Sequence, residues 1–412
     1  MRVAAEDQRD RNAVPTTGER GGRRRRARGR RPGRGRRHGD PHRVCDPGVT
    51  ARRAVAIGQC DSTGNDDERQ HTDPEEPPHV DQPTGGLRSY DAQAMRRVRL
   101  SPERFRRITV VAAFLLAAII VTGAAVRLTG SGLGCPDWPN CTAGSLTPTP
   151  AVGGHGWIEF INRMVTGLVS VAVIVAVLGA LVRTPPRRDL TWLSLGLVFG
   201  VIAQALLGAL VVEKLLDPPF VMGHFLLSAV LLADDIVLVW RAGIPDGEVA
   251  PVAVAPLVHR LAVAVVVLAA AVLVTGTVVT GAGPHSGDAG NSAKISLRAT
   301  RLDLAVATVA RIHGITVMAF LAVVLVLLFV LARTRAPRAL YRRVTILLTL
   351  LALQAGVGYL QYFNNVPSGL VTIHVAGATA VFSAAVLVLL GCRASRPPVT
   401  DGSVPFAQLQ PL

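Results

Sequence analysis

Charge is scarce in this chain: of 412 residues only 17% are Asp, Glu, Lys or Arg, aromatic side chains make up 5%, and there are five cysteines. Half of the residues are hydrophobic, a balance that leaves too little polar surface for a soluble globule and suits a chain that faces lipid. The formal net charge of +16 points the other way, toward an acidic partner, but eleven of the arginines are packed into one run over residues 18–40. That run has no aromatic residues interleaved with its charge, which argues against a single-stranded nucleic-acid platform. Residues 1–95 also lack apolar periodicity, so they cannot bury enough surface to offset chain entropy and are expected to be a disordered basic tail. An arm for RNA or anionic lipid is the sharper alternative. An inert tail is preferred, or a start assigned too early, since Met95 opens MRRVRLSPERFRR just before the first apolar run. No short apolar core followed by a small-residue cleavage site is present, which excludes a cleaved signal peptide.

What remains is rich in apolar runs. Crossing about 30 Å of hydrocarbon takes roughly 20 helical residues, and runs of that order recur near 108–126, 157–182, 190–212, 219–240, 257–280, 307–332, 344–361 and 367–390. Lipid offers backbone amides no partners, so each run is expected to be a helix. The expectation is an all-α integral membrane protein of eight transmembrane helices. Arginine accumulates before the first span (Arg96, Arg97, Arg99, Arg104, Arg106, Arg107), in the 2-3 loop (Arg183, Arg187, Arg188) and in the 6-7 loop (Arg333, Arg335, Arg338, Arg342, Arg343). By the positive-inside rule both termini are cytoplasmic. The 5-6 loop, with Lys294, Arg298 and Arg301, fits that rule less well.

Spans 1-4 and 5-8 repeat each other. VTGAAV at 121 answers VTGTVV at 274, and QALLG at 204 answers QAGVG at 354. His224 follows Gln204 by 20 residues, and His374 follows Gln354 by the same 20. Gln354 lies 41 residues after His313, whereas 42 residues before Gln204 stands Asn162 where the repeat predicts histidine. An even number of helices per unit makes the halves parallel, as two tandem four-helix bundles related by a pseudo-two-fold axis along the membrane normal. The expected divisions are a tail over 1–95, an N-terminal half over 105–241, a C-terminal half over 257–392 and a cytoplasmic tail over 393–412.

Five histidines lie in or beside the spans: His155, His224, His259, His313 and His374. An ionisable ring inside a membrane is a functional candidate. His313 and His374, on spans 6 and 8, have the placement to clamp an iron porphyrin from opposite faces. Interhelical hydrogen bonding, copper binding and proton relay stay open for the same pair. In the first half His224 faces Asn162, and an amide is a poor iron ligand, so iron there would keep an open face. Glu159 stands one turn before Asn162, as a possible acid or base at that position; its alternative is a plain ion pair with Arg163 at i+4. Cys135 and Cys141 flank PDWPN in the outer 1-2 loop, where disulfides persist, and either a structural staple or a redox-active pair fits them. Cys45, Cys60 and Cys392 are assigned no chemistry. A transporter built on parallel repeats is the weakest reading, since discontinuous helices and charge at mid-membrane are not evident in the runs.

The motifs VRLTGSGLGCPDWPNC (126–141), GHGWIEFINR (154–163), GALVV (208–212) and LQAGVGYLQYFNNVPSGLVTIHVAGA (353–378), with the context of His224, resemble the heme A synthase family over roughly 105–392. The resemblance implies an enzyme that oxidises the ring D methyl of heme O to a formyl group by successive hydroxylations, giving heme A for aa3-type cytochrome c oxidase. It implies a heme b cofactor held by His313 and His374. The substrate heme would lie in the first half, on His224, with Glu159 catalytic and Asn162, Arg163 and Arg127 as supporting residues. Cys135 and Cys141 match the family's cysteine pair. Where many members have Glu-x-x-His in span 2, this chain has Glu159, Phe160, Ile161 and Asn162, which departs from bis-histidine ligation. Implied partners are heme O, heme A, the lipid bilayer, heme O synthase (protoheme farnesyltransferase), an unidentified electron-transfer partner and a second copy of the chain, with no nucleic acid. The alternative to the enzyme is a membrane b-type cytochrome that only transfers electrons.

Overall fold

The computed structural model describes residues 99–248, 250–285, 287, 300–334 and 336–393. The expected tails over 1–95 and beyond 393, with Cys45, Cys60, Lys294, Arg298 and Arg335, lie outside the described residues. Among those described the chain is helical, with isolated bridges and no strand. The helices are α1 (Pro102–Leu128), α2 (Gly153–Val182), α3 (Arg188–Glu213), α4 (Pro218–Ala242), α5 (Pro256–Ala282), α6 (Val306–Arg333), α7 (Arg338–Phe363) and α8 (Ser368–Gly391), with a 3₁₀ turn at Pro150–Val152 leading into α2. All eight are long and apolar enough to cross a membrane, and the protein is multi-pass.

Most of the helices run past the apolar runs because their first turns hold proline or polar residues. Ser101 accepts a hydrogen bond from the Arg104 amide, and Pro102, Pro218 and Pro256 stand at first-turn positions where a missing N–H is harmless. Side chains turned outward are large and apolar: Phe114, Trp192 and Phe363 are each more than 70% exposed. A belt of that kind would aggregate in water and is at home in lipid.

Packing repeats across the two halves. In the first, α1 packs on α2, α2 on α3, α3 on α4 and α4 back on α1; in the second, α5, α6, α7 and α8 close the same ring. α2 and α4 nowhere bring Cα atoms within 8 Å of each other, and neither do α6 and α8. Each is therefore a diagonal pair with a space between. α1 and α4 meet α8, and α4 meets α5, to join the rings. The tight α3–α4 and α7–α8 turns also correspond: Leu215 and Leu216 have φ of 53° and 62°, Asn365 and Val366 of 60° and 55°. Left-handed backbone is costly for leucine and valine, so both turns are held by their surroundings. Val366, for one, gives its carbonyl to His285 Nε2 at 2.8 Å.

The end of the bundle that carries Leu100 and Arg393 is fastened by arginines. Arg183, 2% exposed, donates to Asp246 at 2.7 Å, and Asp189 accepts from both Arg187 at 2.7 Å and Arg241 at 2.9 Å. Cys392 ends α8 as a buried thiol, and burial pushes it up to about 11. Removing one partner of a buried pair costs about 3–5 kcal/mol. Asp246 keeps some contact with water, so Arg183→Ala is expected to cost about 3 kcal/mol, read as a lower thermal midpoint in detergent.

Candidate functional site

His313 and His374 sit near the starts of α6 and α8, both about two turns in from the same end of the bundle. They stand on the diagonal helices of the second ring. Each rests against a glycine of a neighbouring helix. A Cβ on Gly276 of α5 would stand 3.3 Å from His313 Cε1, and one on Gly358 of α7 would stand 3.2 Å from His374 Cε1. Thr275, beside Gly276, donates its hydroxyl to the Ala271 and Val272 carbonyls and meets His313 Nδ1 at 3.0 Å. With its own proton committed, that hydroxyl accepts from Nδ1–H, which leaves the Nε2 lone pair for a ligand.

The repeated Gln and Gly now have a physical meaning. Gln354 Nε2 donates to the His374 carbonyl at 2.7 Å, and Gln204 Nε2 donates to the His224 carbonyl at 3.0 Å. One turn on, Gly208 makes room for the His224 ring as Gly358 does for His374, with Cε1 3.4 Å from where a Cβ would be. Each motif thus fixes the helix that bears the histidine and leaves a notch for its imidazole. Nδ1 of His224 and of His374 is buried without a hydrogen-bond partner. Orphaned buried nitrogens of that kind cost free energy and call for an explanation beyond packing.

The fourth position keeps the notch and lacks the ring. Gly123 of α1 corresponds to Gly276, yet a Cβ there would meet nothing within 4 Å. Thr122, the counterpart of Thr275, turns its hydroxyl to the Ile119 carbonyl. Asn162 is too short to fill the space, and its Oδ1 is buried with no partner. Asn162 and His224 thus stand on the diagonal helices of the first ring as His313 and His374 do in the second.

Glu159 is 6% exposed and turned toward the α1–α2 loop. Oε2 accepts from the Cys135 amide at 2.8 Å, and Oε1 accepts from Arg163 Nη2 at 2.6 Å and Nε at 3.2 Å. Arg163 also donates to the carbonyls of Asn140 at 2.9 Å and Cys135 at 3.2 Å. Glu159 therefore forms the ion pair with Arg163 that its spacing allows, and does so out of water rather than at the water boundary. Cys135 and Cys141 form a disulfide, both buried, so carboxylate and disulfide belong to one latch. His155 joins the same latch, with Nδ1 2.9 Å from Ser131 Oγ. Gly134 admits no side chain there, since a Cβ would fall 2.2 Å from the His155 carbonyl oxygen. Arg127 serves elsewhere: it donates to the carbonyls of His285 at 2.9 Å and Thr280 at 3.2 Å, tying α1 to the end of α5. His259 lies in the first turn of α5, at the opposite end from the other histidines.

One pair was missed. Asp234 and Asp235 lie well inside α4, so charge-bearing groups within the membrane are present after all. The signal was LLADDIVLVW, two acids inside an apolar run.

The arrangement defines a membrane protein of two histidine-bearing four-helix rings, one with a repeat-related histidine on each of its diagonal helices and one with such a histidine on α4 alone. The sequence model of the cytochrome oxidase assembly protein family matches residues 106–386, and the chain belongs to that family. It is 40% identical over 104 residues to a heme A synthase of Lysinibacillus sphaericus, covering 24% of this chain and 32% of that protein. With the heme A synthase of Alkalihalophilus pseudofirmus it shares 31% identity over 147 residues, 35% of this chain and 48% of the relative. With that of Listeria welshimeri the values are 33% over 131 residues, 32% and 43%. The aligned segments thus span 32–48% of these relatives' lengths, and they bear out the resemblance read from the motifs.

Proposed function

We propose that this chain is a heme A synthase, which oxidises the ring D methyl of heme O to a formyl group. The second ring, 257–392, would hold heme b on His313 and His374. The donor set fits: two diagonal imidazoles, each backed by a glycine notch, one with its Nδ1 proton fixed by Thr275. Bound there, heme b supplies a one-electron redox centre. The first ring, 105–241, would take heme O on His224. The observation that carries the enzyme reading is the notch at Gly123 without its ring, which leaves room for chemistry on the Asn162 side. A b-type electron carrier is favoured by the His313–His374 pair alone, but it gives no reason to keep a histidine cradle without a histidine.

Within this scheme Glu159 and Arg163 hold the disulfide loop over the start of α2, and Glu159 is the acid or base nearest the Asn162 face. Arginine at the end carrying Arg183, Arg187 and Arg241 favours placing that end in the cytoplasm of a cell-membrane protein. Heme O synthase as donor of the substrate, an electron-transfer partner and a second copy of the chain are the partners this reading carries.

Expression alongside a heme O producer, followed by heme extraction, tests the proposal; heme O alone would overturn it. Glu159→Gln keeps the hydrogen bond from the Cys135 amide but loses the charge. General acid–base roles contribute about 10²–10⁴-fold, so heme A formation is expected to fall by about 10²-fold or more with the b-heme spectrum intact. A purely structural Glu159 would instead lower the thermal midpoint and leave turnover per folded protein unchanged. Arg298→Ala serves as the control that keeps activity.

A further inference from the structure

Asp235 is fully buried, at 0% exposure, and neither carboxylate oxygen has a hydrogen-bond partner. Several other buried polar groups of the spans are satisfied: Thr109 and Ser194 donate to their own helices, and Glu159 has its three donors. Of the remaining orphaned atoms in the spans, those of Asn162, Gln204, His224 and His374 belong to the two candidate heme sites, and Gln361 Oε1 belongs to an amide that carries no charge. Asp235 thus stands apart from both groups. The nearest arginine on α4, Arg241, is taken by Asp189 at 2.9 Å, and Asp234 turns toward α3, its Oδ2 3.1 Å from where a Gly196 Cβ would be. An ionised carboxylate cannot remain unpaired in such a setting; it must carry a proton or a cation. A metal ion takes several oxygen ligands, and no group of three or more His, Cys, Asp or Glu side chains gathers among the described residues.

The repeat shows that the fold does not need this acid. At the 150-residue offset that pairs His224 with His374, Asp234 and Asp235 correspond to Ala384 and Ala385, and Ala385 is as fully buried as Asp235. The acid is therefore an addition to the first ring, the one with the incomplete ligand set. It also lies on the helix face of His224. Eleven residues at about 100° each bring Asp235 within about 20° of His224, roughly 16 Å further along the helix, with Ser228 between them. Ser228 in turn hydrogen-bonds to the His224 carbonyl at 3.0 Å.

We propose that Asp235 is a proton-binding site within the bilayer, loaded from the end of α4 that carries Arg241, and that it serves the first-ring site rather than the fold. Proton binding stands on the geometry alone; service to the site rests on the function proposed above. Infrared spectra of the purified full chain in lipid nanodiscs should show a carboxylic-acid carbonyl stretch that shifts in D2O and disappears in Asp235→Asn. Absence of that band, or a band that never exchanges, would overturn the proton site. Asp235→Ala should keep the thermal midpoint and the b-heme spectrum, because alanine fills the same place in the second ring; a lowered midpoint would make the acid structural and sink the proposal. In the co-expression assay the same variant should make at least tenfold less heme A than the parent. Undiminished heme A would overturn its service to the site. A parent chain that makes no heme A would instead overturn the proposed function while leaving the infrared result standing.

Discussion

Replacing His374 with alanine is expected to abolish the low-spin b-heme spectrum of the purified protein and to remove one heme per chain. The reason lies in the diagonal: α6 and α8 bring no Cα atoms within 8 Å of each other, so the two histidines span the space between them and each supplies one side of the pair. His313→Ala should act alike. Gentler changes separate ligation from packing. Thr275→Val leaves His313 in its notch but removes the acceptor of its Nδ1 proton. Losing such a partner typically weakens binding about 10–100-fold, so heme b should still load but wash out more readily. Gly358→Ala places a methyl 3.2 Å from His374 Cε1 and should tilt the ring, broadening the low-spin signal without emptying the site. An unchanged absorption spectrum in both His313→Ala and His374→Ala would overturn the ligand assignment, whatever became of activity. Heme b and imidazole added together to His374→Ala, which has a vacated notch, should restore the low-spin spectrum.

The helices were legible because hydropathy records what lipid demands of a helix, and only their ends were misplaced. Caps such as Ser101–Pro102 and the arginine-rich first turn of α7 are polar, so an apolar run stops short of them. The Gln-to-His spacing of 20 residues was legible as a pattern, but its cause was not. It takes an antiparallel helix pair joined by a tight left-handed turn to bring a Gln amide onto a carbonyl 20 residues on. Arg127 shows the opposite case. Its partners lie 153 and 158 residues away, and no local pattern marks an interhelical clasp of that kind. Glu159 was readable as a buried acid but not as part of the disulfide latch, because only folding brings the Cys135 amide to its carboxylate. Asp235 was overlooked since two acids in an otherwise apolar span barely disturb a run of that length.

Asn162 gives the sharpest test of why the rings differ. Asn162→His would place an imidazole where Gly123 leaves open space, beside a threonine related by the repeat to the one that fixes His313. If Thr122 gave up the Ile119 carbonyl for the new Nδ1, the first ring would acquire the ligand set of the second. Heme O taken up there should then turn from a high-spin species that binds carbon monoxide when reduced to a low-spin species that does not. Heme A formation should fall by about tenfold or more, at least about 1.4 kcal/mol on the barrier, while the chain folds as well as before because the cradle already exists. Asn162→Ala should keep the carbon monoxide band, since the open space rather than the amide admits the ligand. A parent protein whose substrate heme is already low-spin and indifferent to carbon monoxide would refute this account of the asymmetry. It would also move the search for the missing ligand away from α2, because Asn162 Oδ1 is buried and unpartnered and His155 is held by Ser131.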